Sequence, residues 1–356
     1  MQAKRALRCL ALSLVATVAL CTVLGVMPAM AKKVNLKFAH SEAVANIRHD
    51  AALHFAKQVS DLSKGEISIE VFPAGVMGTH QSCQEQVAMG TLDFYPTTAG
   101  LVSVFDPNRT QELIELPYLF DSYAQAYAFM DTPFVSRFYE PLLVRGIRYL
   151  ATWDNGFRHM TNSVRPIFMP EDMKGLKIRV VQSEMSINII NALGGSAVPM
   201  SYSELYTALS QKVVDGQENP FMNIYASKFY EVQKYMSVTK HQYSTLPIIM
   251  SDKTWKKLDE NQRQIIQKVA LESAAYMRKK VGANEDSQRK AMEAAGMKVN
   301  EVKDLAAFRK TQEPVYEWAK KKWGAERVNA VLSEVEKCRK LYPTGSTYFG
   351  LSDKKK

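Results

Sequence analysis

The chain has 356 residues, with 46 lysines and arginines against 36 aspartates and glutamates and a formal charge of +10. That length allows two domains with separate cores, and an apolar content of 46% excludes a predominantly disordered chain. The positive charge suits an anionic ligand or an anionic lipid, whereas no basic stripe interleaved with aromatics points to nucleic acid.

Lys4, Arg5 and Arg8 precede an uncharged apolar run from Cys9 to Val26, which closes on Ala29-Met30-Ala31. A basic start, an apolar run and a small-x-small site predict a secretory signal peptide over residues 1–31, cleaved after Ala31. A retained anchor is the alternative, but the run is short for a span of about 20 residues. Leu20 before Cys21 is too bulky for a lipoprotein signal. Removing the segment leaves 325 residues at a charge of +7, with Cys83 and Cys338 as the remaining cysteines. Export would permit a disulfide, but their spacing fits no framework, so two free or buried thiols are expected.

Val34-Asn35-Leu36-Lys37-Phe38 alternates apolar and polar residues and predicts a first strand. Between Asp50 and Ser63, apolar residues recur at helical spacing, and Gly65 is placed to cap that helix. Ile67, Ile69 and Val71 alternate again, ending at Pro73. A helix over Gln84–Gly90 and a strand over Leu92–Tyr95 complete the rhythm of an α/β unit with parallel pairing. The rhythm returns with a strand from Gly146 to about Trp153, a short strand at Lys177–Val180, and helices over Ser183–Leu193 and Ser203–Lys212. Val213-Val214 reads as a very short strand, and Tyr243–Ser251 as a strand interrupted by Pro247. From Thr254 to about Ala295 the pattern is helical, and that length predicts a break or a helix joining two domains, with Gly282 and Gly296 as available breakers. More helix follows from Asp304 to Lys340.

Catalytic signatures are thin. The sequence holds no Gly-x-Ser-x-Gly elbow, no phosphate-cradling loop and no His-Glu-x-x-His, and its six histidines lack metal-ligand spacing. Ser237-Val238-Thr239-Lys240 matches a Ser-x-x-Lys pattern that is short and common. Three other places carry more. Arg158 follows a predicted strand end, and Arg179 sits at the carboxyl end of another, where ligands of open α/β sheets lie. An arginine fork matches a carboxylate in two places, although spacing alone leaves open two surface arginines in weak ion pairs. Asn219, at the end of Val213-Val214-Asp215-Gly216-Gln217-Glu218-Asn219-Pro220, can donate and accept at once. Gln217 and Glu218 stay open between ligand contact and loop support.

Phe72-Pro73-Ala74-Gly75-Val76-Met77-Gly78, Gly90-Thr91-Leu92-Asp93, Leu116-Pro117-Tyr118-Leu119-Phe120, Asn155-Gly156-Phe157-Arg158, Gly175-Leu176-Lys177-Ile178-Arg179-Val180 and the segment Val214–Pro220 occur in this order. Together they resemble the extracytoplasmic solute-binding subunit of tripartite ATP-independent periplasmic (TRAP) transporters, most closely the C4-dicarboxylate-binding type. The last two motifs are the specific ones, and the resemblance covers nearly all of the chain after residue 31.

That resemblance implies an α/β, two-domain periplasmic-binding-protein fold, type II-like, with a ligand cleft between domains and a long domain-spanning helix. Domain I would take residues 32–155 with about 244–283, and domain II residues 156–243 with about 284–356. It implies a periplasmic protein that closes on an organic carboxylate and delivers it to a membrane permease; no cofactor or metal is expected, and the oligomeric state is open, with a monomer as the default for a shuttle. Arg179 would be the main carboxylate clamp, Arg158 a second cationic contact, Asn219 a polar contact and Tyr202 an aromatic wall. Ser41, His80, Thr98 and Gln182 fall on the variable cleft lining. Thr98 stands where sialic-acid-binding relatives carry an acidic residue, which speaks against sialic acid. A periplasmic sensor partner and an exported hydrolase are the rival readings.

Overall fold

The computed structural model describes residues 33–350; the expected signal peptide and the closing lysines Lys354–Lys356 lie outside the described residues. Among the described residues nine strands form one sheet: β1 (Val34–Ala39), β2 (Ile67–Phe72), β3 (Phe94–Pro96), β4 (Ile147–Asn162), β5 (Lys177–Val180), β6 (Ser196–Pro199), β7 (Gly216–Asn219), β8 (Tyr235–Ser251) and β9 (Lys298–Glu301). Their order is β2-β1-β3-β8-β4-β7-β5-β6, with β9 on β8. Parallel pairs (β1 with β3, β5 with β6 and β7) flank the long antiparallel pair β4 and β8, which therefore belongs to both halves of the sheet.

The alternating predictions for β1 and β2 and the short strand predicted at β5 match the observed strands, and three others are corrected. Val213-Val214 is not a strand; it lies in the turn before β7, and the strand is the polar quartet Gly216–Asn219 itself. Buried β4 partners satisfy those polar side chains, so polarity does not exclude a central position. β4 does not end near Trp153 but continues through Arg158 to Asn162, and β8 begins at Tyr235 and runs through Pro247 without ending. Pro247 stands opposite Thr152, near a register shift of β4 between Tyr149 and Ala151.

Two glycines make this architecture possible. Gly156 has φ +109° at a second register shift of β4, and a Cβ there would meet Pro220 and Tyr123. The distortion falls two residues before Arg158. At Gly216 a Cβ would lie 2.1 Å from the Thr161 carbonyl oxygen. Gly216→Ala is therefore expected to push β7 off β4, destabilising the protein by about 1–3 kcal/mol or more. A urea midpoint equal to wild type would contradict this.

The predicted helical stretch from Thr254 divides at Leu258-Asp259, into helices Asp252–Lys257 and Glu260–Ala294. Asp259 N-caps the second through a capping box with Gln262, so the break comes from a cap rather than from Gly282. The 35-residue helix passes through Gly282, where open space surrounds the missing side chain. Its buried stripe (Ile266, Val269, Ala270, Ser273, Met277, Val281) follows helical spacing. Trp153 Nε1 donates to Ser273 Oγ at 2.9 Å, and buried Arg278 pairs with Asp131 at 2.7 Å while donating to the Thr152 carbonyl, which ties the helix to β4. Among the described residues no helix is long and apolar enough to cross a membrane. Cys83 and Cys338 are both buried.

Candidate functional site

The carboxyl ends of β1, β5 and β7 converge beside the middle of β4 on a cavity of about 250 Å³. Seven of the expected contacts line it: Arg158, Arg179, Asn219, Tyr202, Gln182, Thr98 and His80. Ser41 is the exception. Its hydroxyl hydrogen-bonds Tyr95, whose own hydroxyl meets His80 Nδ1 at 2.8 Å, so Ser41 stands behind His80 rather than on the lining. A short polar side chain after a strand end is drawn to the nearest buried hydroxyl.

The two expected arginines differ. Arg179, on β5, donates from Nε and Nη2 to the Met200 carbonyl at 3.0 and 2.7 Å. Its Nη1 is buried without a hydrogen-bond partner, and no carboxylate pairs with it among the described residues. Burial lowers its pKa to about 10, so it keeps its charge at neutral pH. Arg158 lies within β4 rather than past its end, and its guanidinium is already engaged. It forms a buried ion pair with Glu218 and donates from Nη2 to Glu218 Oε1 at 2.9 Å and to the Glu218 carbonyl at 2.6 Å. Burial acts to raise the Glu218 carboxyl, but Arg158 and His241 hold it down to about 2. A second cationic contact is thus neutralised by a neighbour that sequence reading had left unassigned.

The segment Gln217-Glu218-Asn219 divides its labour by strand alternation. Asn219 Nδ2 donates to Gln217 Oε1 at 2.5 Å, and Gln217 Nε2 donates to Thr161 Oγ1 at 2.9 Å. Gln217 therefore orients Asn219, whose Oδ1 accepts from Asn223 at 3.1 Å. Glu218 braces Arg158 and accepts from His241 at 3.3 Å. Around them, Tyr202 puts its ring 5.8 Å from the Arg179 guanidinium carbon and its hydroxyl on Ser227 at 2.7 Å. Thr98 caps the short helix Ala99–Val102 through Leu101 N. Ser237, of the Ser-x-x-Lys pattern, bonds Asn300 and the Ile167 amide, a structural role.

Sequence reasoning missed Glu42, Arg48, Asn155 and Asn223, all on the lining. Glu42 and Arg48 form a buried ion pair, and Arg48 Nη2 donates to Asn155 Oδ1 at 3.1 Å. Asn223 Nδ2 reaches the same Asn155 oxygen at 3.1 Å. The rule that singled out Arg179 applies equally to the loop after β1, where Glu42 lies, and would have found it. Asn223 is four residues beyond Asn219, one turn along the following helix.

The profile of the bacterial extracellular solute-binding proteins, family 7, matches residues 38–322. The 2,3-diketo-L-gulonate-binding periplasmic protein of Escherichia coli (strain K12) is 31% identical over 274 residues, 77% of this chain and 83% of its own. The C4-dicarboxylate-binding periplasmic protein of Rhodobacter capsulatus is 31% identical over 324 residues, 90% of this chain and 96% of its own. A TRAP periplasmic solute-binding protein from Polaromonas sp. JS666, crystallised with D-erythronate, superposes with a TM-score of 0.81 at 33% identity, covering 85% of this chain and 99% of that one. With the cavity at the strand ends and the paired strands β4 and β8 shared by both halves, the chain belongs to the bacterial extracellular solute-binding proteins of family 7, the periplasmic solute-binding proteins of TRAP transporters, and has their two-domain α/β fold.

Proposed function

We propose that the protein captures an organic carboxylate in this cavity by closure of two domains and hands it to a TRAP membrane permease. The observation that carries the reading is Arg179, a buried guanidinium with a free Nη1 and no carboxylate partner among the described residues. A buried cation lacking its counter-ion is costly, and a ligand carboxylate would supply that counter-ion with paired hydrogen bonds. Tyr202 would form an aromatic wall over the same guanidinium, with Asn219, Gln182, Thr98 and His80 as further polar contacts. Arg158 would act through its neutral pair with Glu218, as a hydrogen-bond donor more than as a charge.

In this reading residues 1–31 are a signal peptide cleaved on export to the periplasm. Domain I comprises residues 32–155 with about 244–283, and domain II residues 156–243 with about 284–356, so the hinge falls on β4, β8 and the long helix. The protein works as a monomer and performs no chemistry on its ligand. A carboxylate at a hundredfold excess over its dissociation constant adds about 2.7 kcal/mol of stability. A thermal-shift screen of organic acids is therefore expected to raise the melting temperature with a subset of them. A screen in which no carboxylate does so would overturn the reading.

A further inference from the structure

The sheet order sets β1 and β7 on opposite sides of the β8–β4 pair, yet the segments that follow them meet. Asn46 precedes the helix Ile47–Leu62 after β1, and Asn223 lies in the helix Phe221–Ala226 after β7. Asn46 Nδ2 donates to Asn223 Oδ1 at 3.0 Å, between residues 177 apart in the chain. Both side chains are buried.

Each carboxamide is held in place by other bonds. Asn223 Nδ2 donates to Asn155 Oδ1 and to Asn219 Oδ1, both at 3.1 Å. A carboxamide whose N–H groups are taken presents its oxygen, and here the oxygen faces Asn46. Asn46 is fixed from the opposite side, because its Oδ1 caps the first helix by accepting from the Arg48 amide at 2.9 Å. Asn155 joins the same two halves: its Oδ1 accepts from Arg48 Nη2 as well as from Asn223, at the register shift of β4 between Asp154 and Gly156.

Arg48, Asn155, Asn219 and Asn223 line the cavity, whereas Asn46 stands off the lining. The Asn46–Asn223 bond is also uncharged. Water entering an opened cavity satisfies both groups, so parting them costs far less than parting an ion pair at the same place. A contact of that strength prolongs a closed state without locking it.

We propose that Asn46 is a positioning residue for ligand capture: its bond to Asn223 forms as the two halves close and slows the release of a carboxylate that Asn46 does not touch. This rests on the reading of capture by closure and adds the contact that sets the lifetime of the closed complex.

The test uses the chain lacking residues 1–31 and a panel of short linear monocarboxylates, dicarboxylates and their hydroxylated forms. Calorimetry on wild type picks the tightest acid of the panel as the probe, and stopped-flow tryptophan fluorescence then gives its association and dissociation rates. Asn46→Ser keeps an oxygen for the Arg48 amide and loses the donor that reaches Asn223. Its dissociation rate is expected to rise about two- to tenfold, the worth of one net hydrogen bond. Its association rate should stay at the wild-type value, because the acid enters an open cavity in which the bond is absent from both proteins. Asn46→Asp keeps the shape and the cap but sets an acceptor against Asn223 Oδ1, so it should release the acid faster still. Wild-type dissociation in either variant, folded by circular dichroism, overturns the inference and leaves the carboxylate reading intact. So does a loss of affinity carried by slower association, which marks a distorted cavity rather than a lost clasp. If no acid of the panel binds wild type, both readings fall. Should Asn46→Ser not fold, Asn46→Asp decides alone.

Discussion

Arg179→Ala is expected to lower affinity for the carboxylate ligand by about 2–5 kcal/mol, roughly thirtyfold to several thousandfold, while the protein stays folded. The loss follows from removing one partner of a buried, hydrogen-bonded charge pair that forms only when ligand is present. The retained fold follows from the same geometry. Without ligand Arg179 has no carboxylate to strand, and its protein hydrogen bonds go to one backbone carbonyl, that of Met200. Deleting a buried charge that lacks a counter-ion removes a desolvation cost rather than adding one. Arg179→Lys should fall between the two, keeping the charge but losing the planar fork. The measurement is calorimetry with an acid identified by thermal shift, alongside a urea denaturation curve. Near wild-type affinity in Arg179→Ala would remove Arg179 from the site.

Glu218→Ala is expected to do the opposite: to unfold readily, by about 3–5 kcal/mol, whether or not ligand is present. Arg158 and Glu218 are 2% and 1% exposed, so truncating Glu218 leaves a guanidinium buried without its counter-charge. His241 would lose its acceptor as well. The pH dependence carries a matching signature. The Glu218 carboxyl is held at about 2, below its ordinary value of 4.5, by Arg158 and His241 acting against burial. A carboxyl depressed on folding stabilises above its ordinary value and loses that contribution as pH falls toward its folded one. Wild type should therefore lose stability between about pH 4.5 and pH 2. Glu218→Gln should lose less over that window, since its amide has no proton to gain. Urea midpoints at a series of acidic pH values measure both. Equal acid sensitivity in the two proteins would show that the pair is not a coupled unit.

These contrasting expectations mark where sequence reading ran short. Arg158 and Arg179 look alike in the chain: each follows an apolar strand, and each carries the same side chain. Nothing in their spacing says that one is matched by Glu218 and the other is not, because the match crosses from β4 to β7 between residues 60 apart. The family resemblance places Ser41 on the lining, yet Tyr95, 54 residues away, draws its hydroxyl behind His80.

Sequence alone was enough for what depends on short-range periodicity and on shared motifs. The alternation at Leu36 and Ile67 predicts buried strand faces, the helical stripe beyond Thr254 predicts a long packed helix, and six ordered motifs point to the family. These are legible because apolar faces repeat every two or 3.6 residues whatever their partners. Only the tertiary structure decided the rest: that polar Gly216–Asn219 is a central strand, that β4 and β8 run through both halves of the sheet, and that Glu42 meets Arg48 while Glu218 meets Arg158. Those features depend on which distant groups can satisfy a buried charge or hydrogen bond. The net charge of the cavity, and with it the kind of anion it holds, is a property of that pairing and not of any one segment of the chain.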